Sequence, residues 1–531
     1  MKAGHLKALL LAGGVVGAGV ASLGHVQPAA AQTLRMAVGA QVTSADPHFH
    51  NISPNNAFAS MVFDNLLETD ANARLIPALA ESWRPVGEDT WEFKLRQGVR
   101  FHNGNDFTAE DVAFTLARIP QVVNSPGSFR TYTQAIRSVE IVDAHTIRFR
   151  TNGPAPLVPT DLAQVPMLDR ETHEGVTTEA FNRGRAAIGT GPFRLVSFRA
   201  GDRAELVRND TYWGRRPAWS SVEYRMMTND TSRTASLLAG DVDIIDQVPT
   251  PDIERLRRNE RILLSEIDAM RYIYFALDHM RSGASPFITD NDGRPLERNP
   301  LQDVRVRRAL SLSIDRAAIV SRVMEGAATA TVQVMPPGAI GYVADLPVPL
   351  ADPVAARNLL AEAGYPNGFR LTLHGPNDRY PNDARIVQAV GQMWTRIGVR
   401  TQVDVTPYAN FITRASRQEF SAFLVSWGSS TGEPMAGLRS VAATFDAARG
   451  TGAVNRGRYS NPAFDAALVR AGQELDDAKR EDMLREATRM LVGDVGIIST
   501  HLQKNIWAMR QGFAHEARVD ERTRAQDVTP R

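Results

Sequence analysis

Between residues 83 and 118 the chain changes hydrophobic period once, from strand-like to helix-like, and glycines mark the change. Trp91, Phe93 and Leu95 alternate with Glu92, Lys94 and Arg96, the spacing that puts one set on each face of a half-buried strand. Gly98 and His102-Asn103-Gly104 supply the turn residues that follow. Thr108-Ala109-Glu110-Asp111 then has the form of a capping box, ahead of an apolar stripe at Val112, Leu116 and Ile119. The run predicts strand, turn and capped helix, so the fold has to be built from mixed α/β units.

The same style continues along the chain. The spacing predicts strands at 34–39, 193–198, 204–208 and 241–245 and helices at 54–67 and 231–239, the latter stopped by Gly240. Asp303 caps a predicted helix at 304–313, followed by another at 315–324. Asp352 with Pro353 behind it and Gly364 beyond the apolar stripe bracket a further helix. Strands at 370–374, 399–405 and 422–426 and a helix at 383–397 complete the pattern, which argues for a covered sheet. Gly189-Thr190-Gly191 precedes a strand rather than a helix, so it reads as a tight turn and not as a dinucleotide fingerprint.

The N-terminus indicates export. Lys2 and Lys7 precede an apolar, glycine-interrupted stretch at 8–23, and Ala29-Ala30-Ala31 offers a small-residue cleavage site before Gln32. Residues 1–31 are therefore predicted to be a cleaved signal peptide, with the mature protein in the periplasm. The chain has no cysteine, so a lipid anchor at the cleavage site, disulfides and thiolate metal sites are all excluded. With 60 basic and 59 acidic residues, and two lysines in the leader, the mature chain carries about one net negative charge. That balance excludes a phosphate-tracking surface, and no second apolar run is long enough to span a bilayer.

Residue by residue, 83–118 resembles the extracytoplasmic solute-binding proteins of the peptide and nickel class, family 5, which serve ABC importers. The segment VRVRRALSLSIDRAAIV at 304–320 is similarly close to the family's pattern. The resemblance implies a two-lobed periplasmic binding protein clamp (type II, large cluster), α/β in class, with an additional smaller α/β domain. The expected division is a first lobe from 32–80, 190–285 and 505–531, an extra domain at 81–189, and a second lobe at 286–504. It further implies a ligand in the cleft, a hinge that closes on it, an inner-membrane ABC permease as partner, a monomer, and no cofactor.

Three segments are candidates for the cleft. The first follows an apolar strand: Trp427, Ser429, Ser430, Thr431 and Glu433. In dipeptide-binding members an aspartate three residues after the tryptophan resembles a counter-ion for the ligand's amino group. Here that position is Ser430, whose hydroxyl cannot supply a charge-assisted bond, and the segment looks more like the Ser-Thr-Gly-Glu version of glutathione-type members. The second is Arg379 with Tyr380, which resembles the segment that brings an arginine to a ligand carboxylate. The third is His48, Phe49, His50 and Asn51 after Asp46-Pro47, a polar cleft rim. His48 and His50 would share one face of a strand and could meet nickel or a chelate, but no third ligand is near in sequence.

An enzyme reading rests on Gly428-Ser429-Ser430-Thr431-Gly432, formally Gly-x-Ser-x-Gly, with His374-Gly375 upstream and Asp465 or Asp494 and then His501 downstream. Pro434 follows too closely, and a hydrolase fold would leave the 83–118 run unexplained. His102 and the pair His173-Glu174 read as turn and surface groups. The expected function is a periplasmic receptor that delivers a small peptide or peptide-like solute. The alternative is an opine, sugar or metal chelate, and serine hydrolysis through Ser430 is a remote one.

Overall fold

The computed structural model describes residues 33–429, 431–447 and 449–531, so the predicted leader and Ser430 lie outside the described residues. Thr33–Val38 forms a strand parallel to Ser221–Met226 on one side and to Ile244–Ile245 on the other. Leu34 and Met36 face one apolar layer, with Phe58, Phe193 and Tyr224, while Ala37 faces another, with Leu237 and Ile245. Covered on both faces, the strand needs an apolar residue at nearly every position.

From there one sheet runs through the molecule. Ile244–Ile245 pairs with Ile498–Arg510, which pairs with Ile262–Leu277, then Ala422–Gly428, Phe369–Pro376 and Ile288–Thr289. At the other end it continues through Ser221–Met226 to Arg203–Arg208 and Phe193–Arg199. The two longest strands, 16 and 13 residues, lie antiparallel and run from the apolar cluster that holds Trp507 and Met509 to those that hold Tyr272, Ile273, Ile498 and Leu502. Phe275, Leu310, Phe369, Val390 and Trp394 pack into one core on one face of this sheet; on the opposite face Tyr272, Tyr274, Phe411, Phe423 and Phe464 form another. The fold is a two-lobed α/β clamp.

The 83–118 run sits in a separate antiparallel sheet in the order Ala80–Pro85, Thr90–Leu95, Thr146–Thr151, Ile136–Asp143. The Thr108 amide donates to Asp111 Oδ2 at 2.8 Å, and the reciprocal capping-box bond is present at the start of the helix Ala109–Arg118. Glu92 is on the face predicted to be polar, yet it is only 5 % exposed, because Arg84 and Arg148 close over it at 3.0 and 2.8 Å. The apolar cluster under this sheet takes in Leu66, Leu67 and Leu79 and ends at Met167; Leu168, Phe181 and Ala186 pack instead with Leu34 and Phe58.

Several predicted elements differ in extent. The helix expected at 54–67 is Ser53–Val62 and stops there because Gly189 and Gly191 press on its end: a Cβ on Gly189 would stand 2.1 Å from the Val62 carbonyl oxygen. The helix expected at 315–324 has only Arg316–Ala318 as α-helix, followed by a π turn over Ile319–Val323. The strand expected at 241–245 shrinks to Ile244–Ile245, since Asp243 turns its carboxylate to Arg35 at 2.7 Å and Arg510 at 3.2 Å. The helix Pro353–Glu362 is capped as expected, with Asp352 Oδ1 accepting from the Val354 and Ala355 amides and Gly364 at φ 93°. No described helix is long and apolar enough to cross a membrane.

Candidate functional site

The two crossing strands do not pair evenly. Asp268 opposes Lys504 and Tyr272 opposes Leu502, so Ala269, Met270 and Arg271 face Gln503 alone. Such a bulge bends the strand and re-aims its side chains. Here it presents Arg271, whose Nε and Nη2 donate to the Glu521 carboxylate at 2.8 and 3.2 Å and whose Nη1 donates to Ser426 Oγ at 3.2 Å. The negative charge of Glu521 holds the guanidinium proton more firmly than usual. Across the ladder from Arg271 stands Gly428, where a Cβ would lie 2.7 Å from a guanidinium nitrogen.

Tyr380 and Tyr408 lie close enough to influence the charge of Arg271. The guanidinium of Arg379 stands 5.3 Å from the ring centre of Tyr380 and 5.4 Å from that of Tyr408, a double cation-π contact. Arg379 is exposed and makes no ion pair among the described residues. Both nearby carboxylates are occupied by backbone: Asp383 Oδ2 accepts from the amides of Arg379 and Tyr380 at 2.9 and 3.0 Å, and Asp378 Oδ1 accepts from that of Tyr408 at 2.7 Å. Tyr380 is buried, and burial raises its hydroxyl pKa. Asn382, in the left-handed region at φ 58°, donates from Nδ2 to Thr250 Oγ1 at 3.1 Å and so ties this loop to the helix Thr250–Arg257.

The segment after Ala422–Gly428 folds back on itself. The Ser429 amide donates to the Met270 carbonyl at 3.0 Å, and Ser429 Oγ lies 3.4 Å from both Thr431 Oγ1 and the Glu433 carbonyl. Trp427 packs its indole edge on the helix Pro434–Val441, where a Cβ on Gly437 would stand 3.0 Å from Nε1. That indole N–H has no acceptor among the described residues. Gly432, at φ 73°, abuts the turn at Asp70–Arg74; a Cβ there would meet the Ala73 carbonyl oxygen at 2.5 Å. Glu433 is buried, with Oε1 3.1 Å from Arg480 Nη2 and Oε2 without a partner.

The Glu433–Arg480 contact acts unequally on its two members. Burial pushes the Glu433 carboxyl up more than Arg480 pulls it down, and Asp477 and Glu481 add to the rise. Arg480 is opposed by burial but held above its usual value by Glu433 together with Asp477, which bonds it at 2.7 Å. The guanidinium has two carboxylates and the Glu433 carboxylate has one cation.

The third candidate segment is placed differently from the expectation. Residues 47–49 form a turn, not a strand, and His48 is 1 % exposed in the core. Its Nε2 donates to the Pro166 carbonyl at 2.8 Å and its Nδ1 accepts from Arg118 Nη1 at 3.0 Å, while Arg118 grips Asp46 at 2.7 Å. Burial holds this imidazole neutral, with a pKa of about 4. His50 Nδ1 lies 3.0 Å from Thr43 Oγ1, and Asn51 Oδ1 accepts from Asn56 Nδ2 at 2.9 Å. The carbonyl of Phe49 accepts from Ser125 Oγ at 2.7 Å. No group of three or more His, Asp or Glu suited to a metal ion occurs among the described residues. His173, expected at the surface, is buried and stacked on Phe181 at 5.1 Å between ring centres.

Among the described residues of the hydrolase constellation, no histidine is bonded to either candidate aspartate. His501 is fully buried, its Nδ1 3.0 Å from Thr500 Oγ1 and its Nε2 unpartnered. Asp465 accepts from the Thr444 amide at 2.9 Å, and Asp494 accepts from Arg307 at 3.0 Å. His374 stacks on Phe420 at 4.1 Å.

Arg271, Glu521 and Tyr408 were not singled out from sequence. Arg271 had a signal, a lone charge inside the apolar run AMRYIYFAL; Glu521 had none, being 250 residues from its partner.

Comparison with known proteins agrees with the two-lobed fold. Heme-binding protein A of Haemophilus influenzae is 27 % identical over 464 residues, covering 81 % of this chain and 80 % of that protein. The glutathione-binding protein GsiB of Pectobacterium atrosepticum is 28 % identical over 494 residues, covering 91 % and 90 %. Among solved structures, HbpA2 from Haemophilus parasuis superposes with a TM-score of 0.81 at 24 % identity, covering 94 % of this chain and all of that one. The sequence profile described as bacterial extracellular solute-binding proteins, family 5 Middle, matches residues 74–448. The chain belongs to the bacterial extracellular solute-binding proteins of family 5.

Proposed function

We propose that this protein is the periplasmic receptor of an ABC importer, that it performs no chemistry of its own, and that it carries a small peptide or peptide-like solute to the permease as a monomer. The observation that carries the ligand class is Arg379: an exposed guanidinium, fixed over two tyrosine rings, whose neighbouring carboxylates are already used by backbone amides. A cation so prepared suits the carboxylate of an incoming ligand, which it can grip with two parallel bonds. The glutathione-binding relative, whose named ligand is itself a tripeptide, supports the same class.

With the division proposed from sequence, 32–80 with 190–285 and 505–531, then 81–189, then 286–504, the strand Ile498–Arg510 passes between lobes at 504/505, beside the bulge at 269–271, which makes that bulge a compliant point of closure. The contacts of Gly432 with Ala73 and of Asn382 with Thr250 would then belong to the closed state. Trp427, Ser429, Ser430, Thr431 and Glu433 supply the other wall. An opine, sugar or metal chelate is the second reading, favoured by the neutral Ser430 where an acidic residue would receive an ammonium.

Native mass spectrometry of the protein as purified identifies any retained solute, and calorimetric titration of a small peptide panel measures the carboxylate contact. Arg379→Ala should cost roughly 2–5 kcal/mol of binding, since a desolvated charge loses its partner, with the melting temperature of the empty protein nearly unchanged. Esterifying the ligand carboxylate should cost a similar amount on the parent and little on the variant. Equal affinities across parent and variant would overturn the assignment.

A further inference from the structure

Asparagine followed by glycine occurs three times in the chain, at Asn103-Gly104, Asn152-Gly153 and Asn367-Gly368. The pair is chemically reactive because a glycine amide nitrogen, unshielded by a Cβ, can reach the side-chain carbonyl carbon of the asparagine before it. Two freedoms are needed. The asparagine side chain must swing onto its own backbone, and the glycine N–H must be able to give up its proton. Any hydrogen bond made by either group has to be broken first, at a cost in rate.

Two of the three pairs are tied down. Asn103 Nδ2 donates to Asp169 Oδ2 at 2.7 Å and to Thr172 Oγ1 at 2.8 Å, and its Oδ1 accepts from the Asn105 amide at 3.1 Å. The Gly104 amide donates to the Phe101 carbonyl at 2.9 Å. At the pair Asn367-Gly368 the glycine is held: its amide donates to the Tyr365 carbonyl at 2.9 Å, and a Cβ on it would stand 1.9 Å from the Gly398 carbonyl oxygen. At Asn152 both freedoms are present. The residue is exposed, just beyond the end of the strand Thr146–Thr151, and its side chain has no hydrogen bond among the described residues. The Gly153 amide has no acceptor among them either, and nothing lies within 4 Å of where a Cβ on Gly153 would be. Thr151 Oγ1 donates to the Gly153 carbonyl at 2.6 Å, which holds the turn together and leaves both reacting groups free.

We propose that Asn152-Gly153 is a site of spontaneous covalent modification, the Asn-Gly pair at which the folded protein deamidates selectively. The Gly153 nitrogen passes its proton to solvent base and attacks Asn152 Cγ. The N–Cγ bond forms, the Cγ–Nδ2 bond breaks, and the side-chain nitrogen takes a proton and leaves as ammonia. Water then opens the five-membered imide at either carbonyl carbon. Breaking the new N–Cγ bond gives aspartate; breaking the original peptide bond gives isoaspartate, whose main chain runs through the side-chain carbon. No oxidant or reductant takes part. Either product brings a carboxylate to a cavity of about 580 Å³ that Asn152 lines together with Arg439 and Arg449.

The purified protein, held at mildly alkaline pH and then mapped by mass spectrometry after digestion in acid, reports each pair separately. In the folded protein Asn152 should convert faster than Asn103 and Asn367 by about tenfold or more, since only the other two must first give up a hydrogen bond. In guanidinium the three rates should converge. Hydroxylamine, which cleaves the imide, should cut the native protein between residues 152 and 153 and the unfolded protein at all three pairs. Asn152→Gln, whose longer side chain would have to close a six-membered ring, should remove the acidic form that ion exchange resolves, while melting with the parent. Conversion of Asn152 no faster than that of the other two in the folded protein overturns the site. So does an acidic form that persists in Asn152→Gln. The same order of rates in guanidinium would assign the selection to sequence alone and overturn its structural cause.

Discussion

Gly432→Ala separates two costs that usually arrive together. The residue is at φ 73°, and an added Cβ would stand 2.5 Å from the Ala73 carbonyl oxygen and 3.0 Å from the Ala73 side chain. The left-handed backbone costs an L-residue about 1–2 kcal/mol wherever the loop keeps its shape. That part is present with the lobes apart or together and cancels in a binding measurement. The collision exists only while the 429–433 loop touches the 70–74 turn. Relieving it requires the two to separate by roughly 1 Å, and overpacking of this kind costs about 1–3 kcal/mol. At 1.4 kcal/mol per tenfold, affinity for a bound peptide should fall by roughly 5–150-fold. Gly364→Ala is the control: its φ is 93° and nothing lies within 4 Å of the added carbon, so it carries strain without collision. Both variants should melt earlier, and only Gly432→Ala should bind more weakly and show a larger radius of gyration with ligand in solution scattering. Affinity within twofold of the parent, or an equal loss in Gly364→Ala, would refute the assignment of this contact to the bound state.

Arg480→Met should destabilise the protein by about 3–5 kcal/mol, because Glu433 is left buried without its cation; adding Glu433→Gln should recover part of the loss in urea denaturation, and no recovery would count against the pair. Burial holds His48, His102, His374 and His515 at about 4 and His279 and His501 at about 3, below the unfolded value near 6.5. Their contribution is complete above pH ~6.5 and is lost as pH falls toward 4, since the unfolded chain then binds more protons. Asp64, pushed up by burial to about 6, works in the opposite sense; six imidazoles outweigh it, so the urea midpoint should be lower at pH 5 than at pH 7.5, and a flat profile would refute the neutral buried histidines. The exported protein should begin at or near Gln32 in an osmotic-shock fraction, and N-terminal sequencing that finds Met1 on a cytoplasmic protein would remove the export claim.

Elements governed by their own residues were legible in the sequence. Asp352, Pro353 and Gly364 fix a helix from local chemistry alone, as do Thr108 and Asp111. Elements governed by distant partners were not. The strand Ile262–Leu277 has buried residues in succession over its second half, because both faces are covered there, and so leaves no period of two. The helix after Asp315 gives way to a π turn that ends at Val323, followed by Glu325 and Gly326, both at positive φ, with Asn382 bonded to the Val323 carbonyl at 2.9 Å. At the site, Trp427 and Arg379 could be named because they stand in recognisable segments. Arg271 depends on a bulge, and Glu521 on a partner 250 residues away in the chain; neither follows from spacing. His48 misled because two histidines at spacing two suggest a strand face, whereas Asp46-Pro47 sets a turn and Arg118 draws the ring inward.

The pairing of Ile262–Leu277 with Ile498–Arg510 joins residues well over two hundred positions apart. Ile498–Arg510 also pairs with Ile244–Ile245, and Trp507 packs with Leu34 and Met36, so the N-terminal half lacks a structural strand until nearly the whole chain exists. Contacts of such long sequence separation form late, after the entropy of closing the intervening loop has been overcome. A nascent chain of this topology cannot complete either half while it is being made. For the exported receptor proposed above, which would cross a membrane as an extended thread, this late strand acts as a timer: the chain stays pliable until its C-terminal residues arrive to lock it.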